Sequence, residues 1–531
     1  MTRESSGAGI GRRTLLGGGL TGIAALGGCQ LIRNHRLAPL PPLGDSYPVP
    51  DAAKLWQHIE RLNAFGPRLT ASPAHQRAVD FIAAELEALG FSAQRQTHRI
   101  QRWTPKESSL TLDNGTAIPV AAPYPYSGRT SSAGVSGELV WFDEPPKDFS
   151  NARDRIAVFP VKPFDLTRFK AWMMFERKSR LPDGNSDFVE GEALPLLGPL
   201  TTIFLPRARA AGVRGVICLF DGMSDELAHG QVLPFTTPYA DIPALWVASD
   251  QGTRLRDAGR AGRSATLVLD AALEAAETDS LHAVLPGRVR NETIIVNTHT
   301  DGPNACEENG AAGLLALAQA HLQRKERRRS IVFVFSTGHF QIPQIVKGHG
   351  QATLAWLQRH QELWDGKEGH ARAVAGLTLE HLGCLEWKDH GRVRRPQSTG
   401  RLEREIVYTT NPVMEQIYRA SVQGRSKLRS LTVAPRLSSV FLGEGAPLYQ
   451  CGIPSISLVP GPDYLCQELP NGGIDRIDPD FAYQQVNSFS KALTICRRWR
   501  QRLVRTGMEK LWWPWAGTVN ETLDSPSASL T

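Results

Sequence analysis

Cysteine is scarce in this sequence, with 7 residues among 531, and no two of them form a C-x-x-C pair. That spacing is typical of structural zinc sites and thiol redox motifs, so neither is expected here. A chain of this length with so few cysteines is also not a disulfide scaffold. A single disulfide between Cys451 and Cys466, around the loop that they bound, remains an open possibility.

The sequence also lacks a dense block of Lys and Arg interleaved with aromatic residues, and its net charge is only +7. A nucleic-acid partner is therefore not expected. Two basic runs, residues 324–329 and 497–505, are interpreted as solvated helix faces or loop ends. No G-x-S-x-G motif is present, which argues against a serine hydrolase.

The apolar run near the start is too short to span a membrane comfortably. It follows Arg12-Arg13, a pair typical of twin-arginine export signals, and it ends in Leu26-Gly27-Gly28-Cys29, which resembles a lipobox. We therefore predict an export signal over residues 1–29 with lipidation at Cys29, and a proline-rich linker over residues 30–50. The mature protein would be anchored to the membrane in the cell envelope, on the periplasmic or outer face.

The length and a hydrophobic content of 41% predict a globular protein of more than one domain. Helical periodicity over residues 51–62 and 73–89, with Ser72 as a cap, opens a first part at residues 51–130. Short strand-like segments suggest an insert at residues 131–275, and the earlier pattern returns over 280–510, before a tail at 511–531. The apolar residues 172–175 are interpreted as core or as packing against the protein, with a lid over a site as the alternative.

The second half alternates short apolar runs with amphipathic stretches. The runs at residues 331–335, 373–379 and 455–459 predict strands, and residues 311–323, 352–363, 412–422 and 481–498 predict helices. This alternation predicts an α/β fold, with a mixed, mostly parallel sheet sandwiched by helices and a β-rich insert.

Metal-binding side chains follow three of the predicted strands. The apolar run 294–296 leads to His299 and Asp301, the run 331–335 leads to His339, and the run 373–379 leads to Glu380 and His381. Ligands of open α/β sheets bind at the carboxyl ends of the strands, and His and carboxylate groups are zinc ligands. The sequence therefore predicts a divalent-metal site at this edge.

These motifs resemble those of the zinc aminopeptidase/glutamate carboxypeptidase family of co-catalytic exopeptidases, some of which carry a protease-associated insert. The resemblance extends over residues 51–500 in order. It rests on G-P-R-L-T-A-S at 66–72, H-T-D at 299–301, E-N-G-A-A-G at 308–313, F-V-F-S-T at 333–337, L-E-H-L-G at 379–383 and G-I-P-S-I-S-L at 452–458. Residues 210–219 and 242–249 resemble the protease-associated insert, which implies that fold for residues 131–275.

The resemblance implies roles for individual residues. His299 corresponds to the first metal ligand, Asp301 to the residue that orients it, and Glu308 to the bridging carboxylate. Glu380 corresponds to a later ligand and His339 to a ligand that is Glu in the family. The last family ligand is a His in a late loop, for which Cys466 is the nearest substitute here.

Gly338 stands where the family has its general base, and glycine cannot accept a proton. Candidates for that role are Glu307, His381 and Glu444. The expected function is that of an exported, zinc-dependent aminopeptidase or related amide hydrolase. It would bind one or two zinc ions and act on peptides or small aminoacyl substrates. The alternative is a catalytically inactive lipoprotein that keeps the peptidase fold for binding or as a scaffold.

Overall fold

The computed structural model describes residues 40, 47–181, 188, 191–201, 204–346, 350–390, 393–436 and 440–499. The predicted signal with Cys29, and the tail 511–531, lie outside this part of the chain. All elements described below belong to the compact unit that begins at Pro42.

The structure contains the following helices in the described ranges: α1 Ala52–Asn63, α2 Pro73–Ala88, α3 Arg168–Met174, α4 Leu197–Thr201, α5 Leu205–Ala210, α6 Asp225–Ala228, α7 Gly252–Arg260, α8 Gly310–Leu322, α9 Ile342–Ile345, α10 Thr353–Arg359, α11 Pro412–Ser421, α12 Ala446–Gln450 and α13 Pro479–Arg498. The strands are β1 Gln94–Leu112, β2 Ala117–Ile118, β3 Ala122–Pro123, β4 Val135–Trp141, β5 Ile156–Val161, β6 Phe164–Leu166, β7 Phe175–Leu181, β8 Glu192–Leu194, β9 Gly215–Phe220, β10 Ala244–Ala248, β11 Ser264–Leu285, β12 Val289–His299, β13 Arg329–Ser336, β14 Arg372–Leu379, β15 Leu385–His390, β16 Val393–Leu402, β17 Glu405–Thr409, β18 Ser430–Pro435 and β19 Ser455–Leu458.

One sheet, with 15 strands in the described ranges, organises the chain in the order β3-β10-β9-β5-β4-β11-β13-β12-β14-β19-β17-β18-β7; β1 is attached to β11, and β2 to β1. The centre, β13-β12-β14-β19, is parallel, as is the set β4-β5-β9-β10. Antiparallel pairs join these blocks through β11 and add the edge strands. The predicted fold class, α/β with a mixed and mostly parallel sheet flanked by helices, is confirmed.

Helices pack on the two faces of the central strands. α8 contacts β12, β13 and β14, and it also packs against α1, α2 and α13. On the other face, Ile295, Val332 and Val334 pack with Trp356 and Leu357 of α10. Because side chains alternate along a strand, the continuous apolar runs of β12 and β13 bury both faces. This burial fixes the ends of β12 and β13 at one edge of the sheet.

The longest strand, β11, joins the two parallel blocks. It pairs with β4 at residues 264–267, with β1 at residues 265–282 and with β13 at residues 281–285. The strands of the predicted insert thus continue into the main sheet, and their assignment to a separate protease-associated domain stays a prediction.

The interpretation of residues 172–175 as core is wrong for two of them. Trp172 and Met173 are 62% and 52% exposed, whereas Phe175 is buried. The guanidinium of Arg436 lies over the Trp172 ring at 5.2 Å, so this tryptophan packs on a surface cation. None of the described helices is long and apolar enough to cross a membrane.

The packing of α8 on α13 predicts a loss of stability in acid. His321 is fully buried and its Nε2 lies 3.0 Å from Ser490 Oγ. Burial, together with Arg497 and Arg324, lowers the pKa of His321 to about 3. Between this value and 6.5 the unfolded chain takes up a proton that the native state excludes, so stability falls as the pH falls through that window.

We expect the His321→Gln variant to lose about 2 kcal/mol less than the parent protein when the pH is lowered from 7 to 5. Urea unfolding at the two pH values measures this difference. Equal losses in parent and variant would contradict the assignment.

Candidate metal centre

The three strand ends predicted to carry metal ligands meet at one edge of the sheet. β12 ends at His299, and its neighbours β13 and β14 run parallel to it on either side. His339 follows β13 through a turn at Gly338, whose φ of 91° suits glycine. Glu380 and His381 come directly after β14. The parallel register therefore brings these side chains together.

Three buried histidines at this edge have Nδ1 committed to an acceptor. His299 Nδ1 donates to the carbonyl oxygen of Asp301 at 2.8 Å, and His381 Nδ1 donates to that of Pro460 at 2.5 Å. His339 Nδ1 lies 2.6 Å from Glu444 Oε1. Because a carbonyl oxygen only accepts, Nε2 of His299 and of His381 carries a lone pair when the ring is neutral. Metal-binding histidines are oriented by this kind of contact.

Glu444 is the buried carboxylate that holds His339. It also accepts backbone hydrogen bonds from Ala352 and Thr353, at 3.1 and 2.6 Å, at the start of α10. Burial alone would raise the pKa of Glu444. The hydrogen bond from His339 and the positive charge of the His339 ring outweigh this effect and bring the pKa of Glu444 below its ordinary value. Burial lowers the pKa of His339, but the hydrogen bond and the charge of Glu444 outweigh burial and raise this pKa to about 9.

Two carboxylates face the histidines. Glu307 Oε2 lies 2.9 Å from His381 Nε2, and Glu307 Oε1 lies 3.9 Å from His339 Nε2. Glu380 Oε1 accepts the backbone N–H of Glu444 at 2.6 Å, while Oε2 lies 4.0 Å from His381 Nε2. Burial raises the pKa of Glu380 to about 7.

Two buried polar atoms at the centre, Nε2 of His299 and Oε2 of Glu380, form no hydrogen bond with the described residues. Nε2 of His381 and Oε2 of Glu307 face each other at 2.9 Å. In each of two triads, His299–Glu380–His381 and His299–Glu307–His339, the potential ligand atoms all lie within 4.8 Å of one another. Orphaned buried nitrogen and carboxylate atoms so close together match the donor set of a zinc-type cation.

Glu308 does not join either triad, in contrast to the bridging role that the resemblance implies. Its carboxylate pairs with Arg68, and the exposed fractions of the two side chains are 1% each. Burial raises the pKa of Glu308 well above its ordinary value and lowers that of Arg68, so each charge depends on the other. Arg68 is held beside the site by mutual backbone hydrogen bonds with Gly302. Arg68 lies in the motif G-P-R-L-T-A-S at 66–72, from which no role was predicted for it.

Asp301 orients His299 through its backbone carbonyl and not through its carboxylate. The carboxylate accepts from Thr70 Oγ1 at 2.5 Å and from the backbone N–H groups of Phe340 and His339 at 3.0 and 3.3 Å. Asp301 therefore ties the end of β12 to the turn that carries His339. The role predicted for Asp301, orienting His299 as a metal ligand, stays a prediction.

The pairing of the cysteines near the site differs from the disulfide that the sequence left open. Cys306 and Cys384 form a disulfide, and no disulfide joins Cys451 to Cys466. Cys466 is buried beside the site, but it belongs to neither triad. Burial and the nearby Glu307 raise the pKa of its thiol well above the ordinary value, which disfavours the thiolate that binds metals.

The disulfide joins the loop of Glu307 to the loop of His381. Cys306 directly precedes Glu307, and Cys384 lies three residues after His381. The bond closes a separation of 78 residues, and we expect the Cys306→Ala/Cys384→Ala variant to be about 2–4 kcal/mol less stable. Chemical denaturation measures this loss. Unchanged stability would show that packing alone holds the two loops.

An aromatic side chain from the predicted insert covers the centre. The Phe235 ring lies 5.1 Å from the His339 ring and 4.5 Å from the Phe340 ring. Its segment is attached to the late loop by a hydrogen bond from Val232 N to Cys466 O at 2.8 Å. The most exposed residue of the centre, His339, is only 5% exposed. The sequence contained no signal for this contact, since it joins distant parts of the chain.

Comparison with known proteins gives matches in structure alone. No protein-family model and no curated protein matches the sequence. An aminopeptidase from Aneurinibacillus sp. strain AM-1 matches with a TM-score of 0.58 and 16% identity, over 86% of this chain and 96% of that one. The zinc aminopeptidase BSAP from Bacillus subtilis gives 0.59 and 16%, over 84% and 96%. A peptidase M28 precursor from Shewanella amazonensis SB2B gives 0.59 and 16%, over 85% and 95%. The chain therefore has the fold that these three peptidases share.

Proposed function

We propose that this protein is a zinc-dependent hydrolase that cleaves terminal amide bonds of peptides or small aminoacyl compounds. The observation that supports this most directly is the set of three buried histidines, His299, His339 and His381, with Nδ1 anchored and with Glu307 and Glu380 beside them. The fold shared with peptidases, one of them named a zinc aminopeptidase, supports the same class of reaction.

The geometry favours one ion. His299 belongs to both triads, and its only uncommitted ligand atom is Nε2, so the triads cannot each hold an ion through His299. Both triads contain two His and one Glu, which form a known catalytic zinc set. We assign His299, Glu380 and His381 as the ligands, because Glu444 raises the pKa of His339 to about 9 and so favours a protonated ring without a lone pair for zinc. Glu380 would bind through Oε2, since Oε1 is held by the backbone of Glu444.

When bound, zinc would supply a Lewis acid that polarises the scissile carbonyl group. Glu307 would accept a proton from the attacking water and return it to the leaving amine. Its carboxylate spans the space between His381 and His339, so it can replace the general base that Gly338 cannot supply. Glu444 would hold His339 in place, with Nε2 on the side of Glu307.

The test is the metal content of the purified protein, measured by elemental mass spectrometry beside the His299→Ala variant. We expect about one zinc per chain in the parent protein and none in the variant. Aminoacyl and peptide substrates would then be screened with the zinc-loaded protein. A folded protein without zinc, even after zinc is added, would overturn the proposal.

The burial of the centre favours a second candidate, a protein that holds zinc for structure and does not catalyse. The Phe235 ring covers His339, and each side chain of the centre is nearly inaccessible to solvent. In that case zinc would be present and resistant to chelators, and its removal would unfold the protein without any detectable hydrolysis. Exchangeable zinc with hydrolysis would favour the enzyme.

We also propose export by the twin-arginine route and anchoring through lipidated Cys29, on the basis of the amino-terminal motif alone. Expression in the native host with a radiolabelled fatty acid tests this. Label should enter the parent protein and not a Cys29→Ser variant. Label-free parent protein would contradict lipidation.

A further inference from the structure

A basic cleft lies at the opposite end of the central strands from the metal centre. Its volume is about 680 Å³, and it is formed where β12 and β13 begin and where α13 ends. Basic side chains dominate its lining, and they include Arg288, Arg324, Lys325, Arg327, Arg328 and Arg497. Among the described residues that line it, Glu326 is the only acid.

The cleft is remote from the candidate metal centre. β12 starts one residue after Arg288 and ends at His299, and its 11 residues span about 35 Å at the usual rise of a strand. A ligand in the cleft would therefore not touch the histidines. Any binding there is independent of the proposed hydrolytic function.

The positive charge of the cleft includes a buried and anchored side chain, that of Arg497. It is 5% exposed and donates to the carbonyl oxygen of Glu326 at 2.8 Å, while its buried Nε has no hydrogen-bond partner among the described residues. Burial and the neighbouring Arg324, Arg327 and Arg498 lower the pKa of Arg497 to about 10. Such crowding of cations destabilises the free protein, and a bound anion would relieve it.

Backbone carbonyls fix a second guanidinium beside Arg497. Arg327 donates to the carbonyl oxygens of Pro286, Leu322 and Arg324, which hold it at the wall of the cleft. Glu292 lies at the border, where it pairs with Arg329 at 2.7 Å and more distantly with Arg328 at 3.9 Å. The carboxylate of Glu292 therefore neutralises mainly the charge of Arg329, which does not line the cleft.

We propose that this cleft binds an anion with several phosphate groups. Guanidinium groups recognise phosphate oxygens through paired, charge-assisted hydrogen bonds, and the cleft offers several of them at once. Its volume lies within the usual range of small-molecule sites, about 300–1,000 Å³. The phosphates belong either to a soluble polyphosphorylated compound or to the headgroups of anionic lipids.

Calorimetric titration of the full-length protein with tripolyphosphate tests the proposal. We expect binding that weakens at least about tenfold in the Arg288→Gln/Arg328→Gln variant, because the variant lacks two guanidinium groups that can form charge-assisted hydrogen bonds with phosphate. Both substitutions leave intact the hydrogen bonds of Arg327 and Arg497 to the backbone. The Arg99→Gln/Arg254→Gln variant, with the same change of net charge on other surfaces, is the matched control and should bind as the parent does.

A second arm measures sedimentation with vesicles of phosphatidylglycerol, with phosphatidylcholine vesicles as the neutral reference. Selective loss of tripolyphosphate binding in the cleft variant assigns a soluble anion, and selective loss of phosphatidylglycerol binding alone assigns lipid headgroups. Thermal unfolding checks the fold of each variant, and Lys325→Gln gives an independent second substitution. Absence of binding in both arms, or equal losses in the cleft variant and its control, would overturn the proposal.

Discussion

The Glu307→Gln variant is expected to keep its zinc and to lose about 10²–10⁴-fold in kcat, the usual contribution of a general base. Glutamine preserves the size of the side chain but does not accept the proton of the attacking water. The ligands assigned here, His299, Glu380 and His381, are unchanged in this variant. The measurement is kcat on the best peptide substrate, with zinc content determined on the same sample.

The matched comparison is Glu380→Gln, which removes the anionic charge of an assigned ligand from the same centre. We expect this variant to lose zinc affinity as well as activity. If Glu307→Gln loses its zinc while Glu380→Gln keeps it, the second triad, His299–Glu307–His339, holds the ion. If Glu307→Gln retains full activity and zinc, the general base is another group.

The second large effect is expected at the buried ion pair beside the centre. Replacing Arg68 by Met removes the cation next to Glu308 and leaves a carboxylate side chain that is 1% exposed. Breaking a buried pair on one side typically destabilises a protein by about 3–5 kcal/mol. Urea unfolding of the Arg68→Met variant, compared with the parent protein, measures this loss.

Adding Glu308→Gln to Arg68→Met separates charge from packing. The double variant contains no buried unpaired charge, so we expect it to recover most of the stability that the single variant loses. Recovery would also support the assignment of Glu308 to Arg68 instead of to the metal. A double variant as unstable as Arg68→Met would mean that the packing of the arginine side chain dominates.

Local sequence signals predicted much of the main fold. Helix α2 was expected at residues 73–89 with Ser72 as its cap, and in the structure the Ser72 side chain accepts from His75 N at the start of Pro73–Ala88. The runs 331–335 and 373–379 lie within β13 and β14. These elements were predictable because periodicity and capping act over a few neighbouring residues.

Other elements could not be predicted in this way. The segment of β11 after Leu269 reads D-A-A-L-E-A-A-E-T-D and is rich in residues that favour helices, yet it pairs with β1 as a strand. The pairing partner supplies the hydrogen bonds and decides the conformation. The strands β15 to β18 were likewise not predicted from the sequence. The extended conformation of β17 and β18 is stabilised by pairing with neighbouring strands of the large sheet.

For the site, the sequence by itself determined which side chains lie at the ends of β12, β13 and β14, because each buried run stops beside a His or a carboxylate. The tertiary structure alone decided what these side chains contact. It directs Glu308 to Arg68, brings Glu307 to His381 and His339, connects Glu444 to His339, and joins Cys306 to Cys384. Local patterns fix where a side chain leaves the backbone, whereas its partners are set by long-range packing and by the cost of leaving a buried charge unpaired.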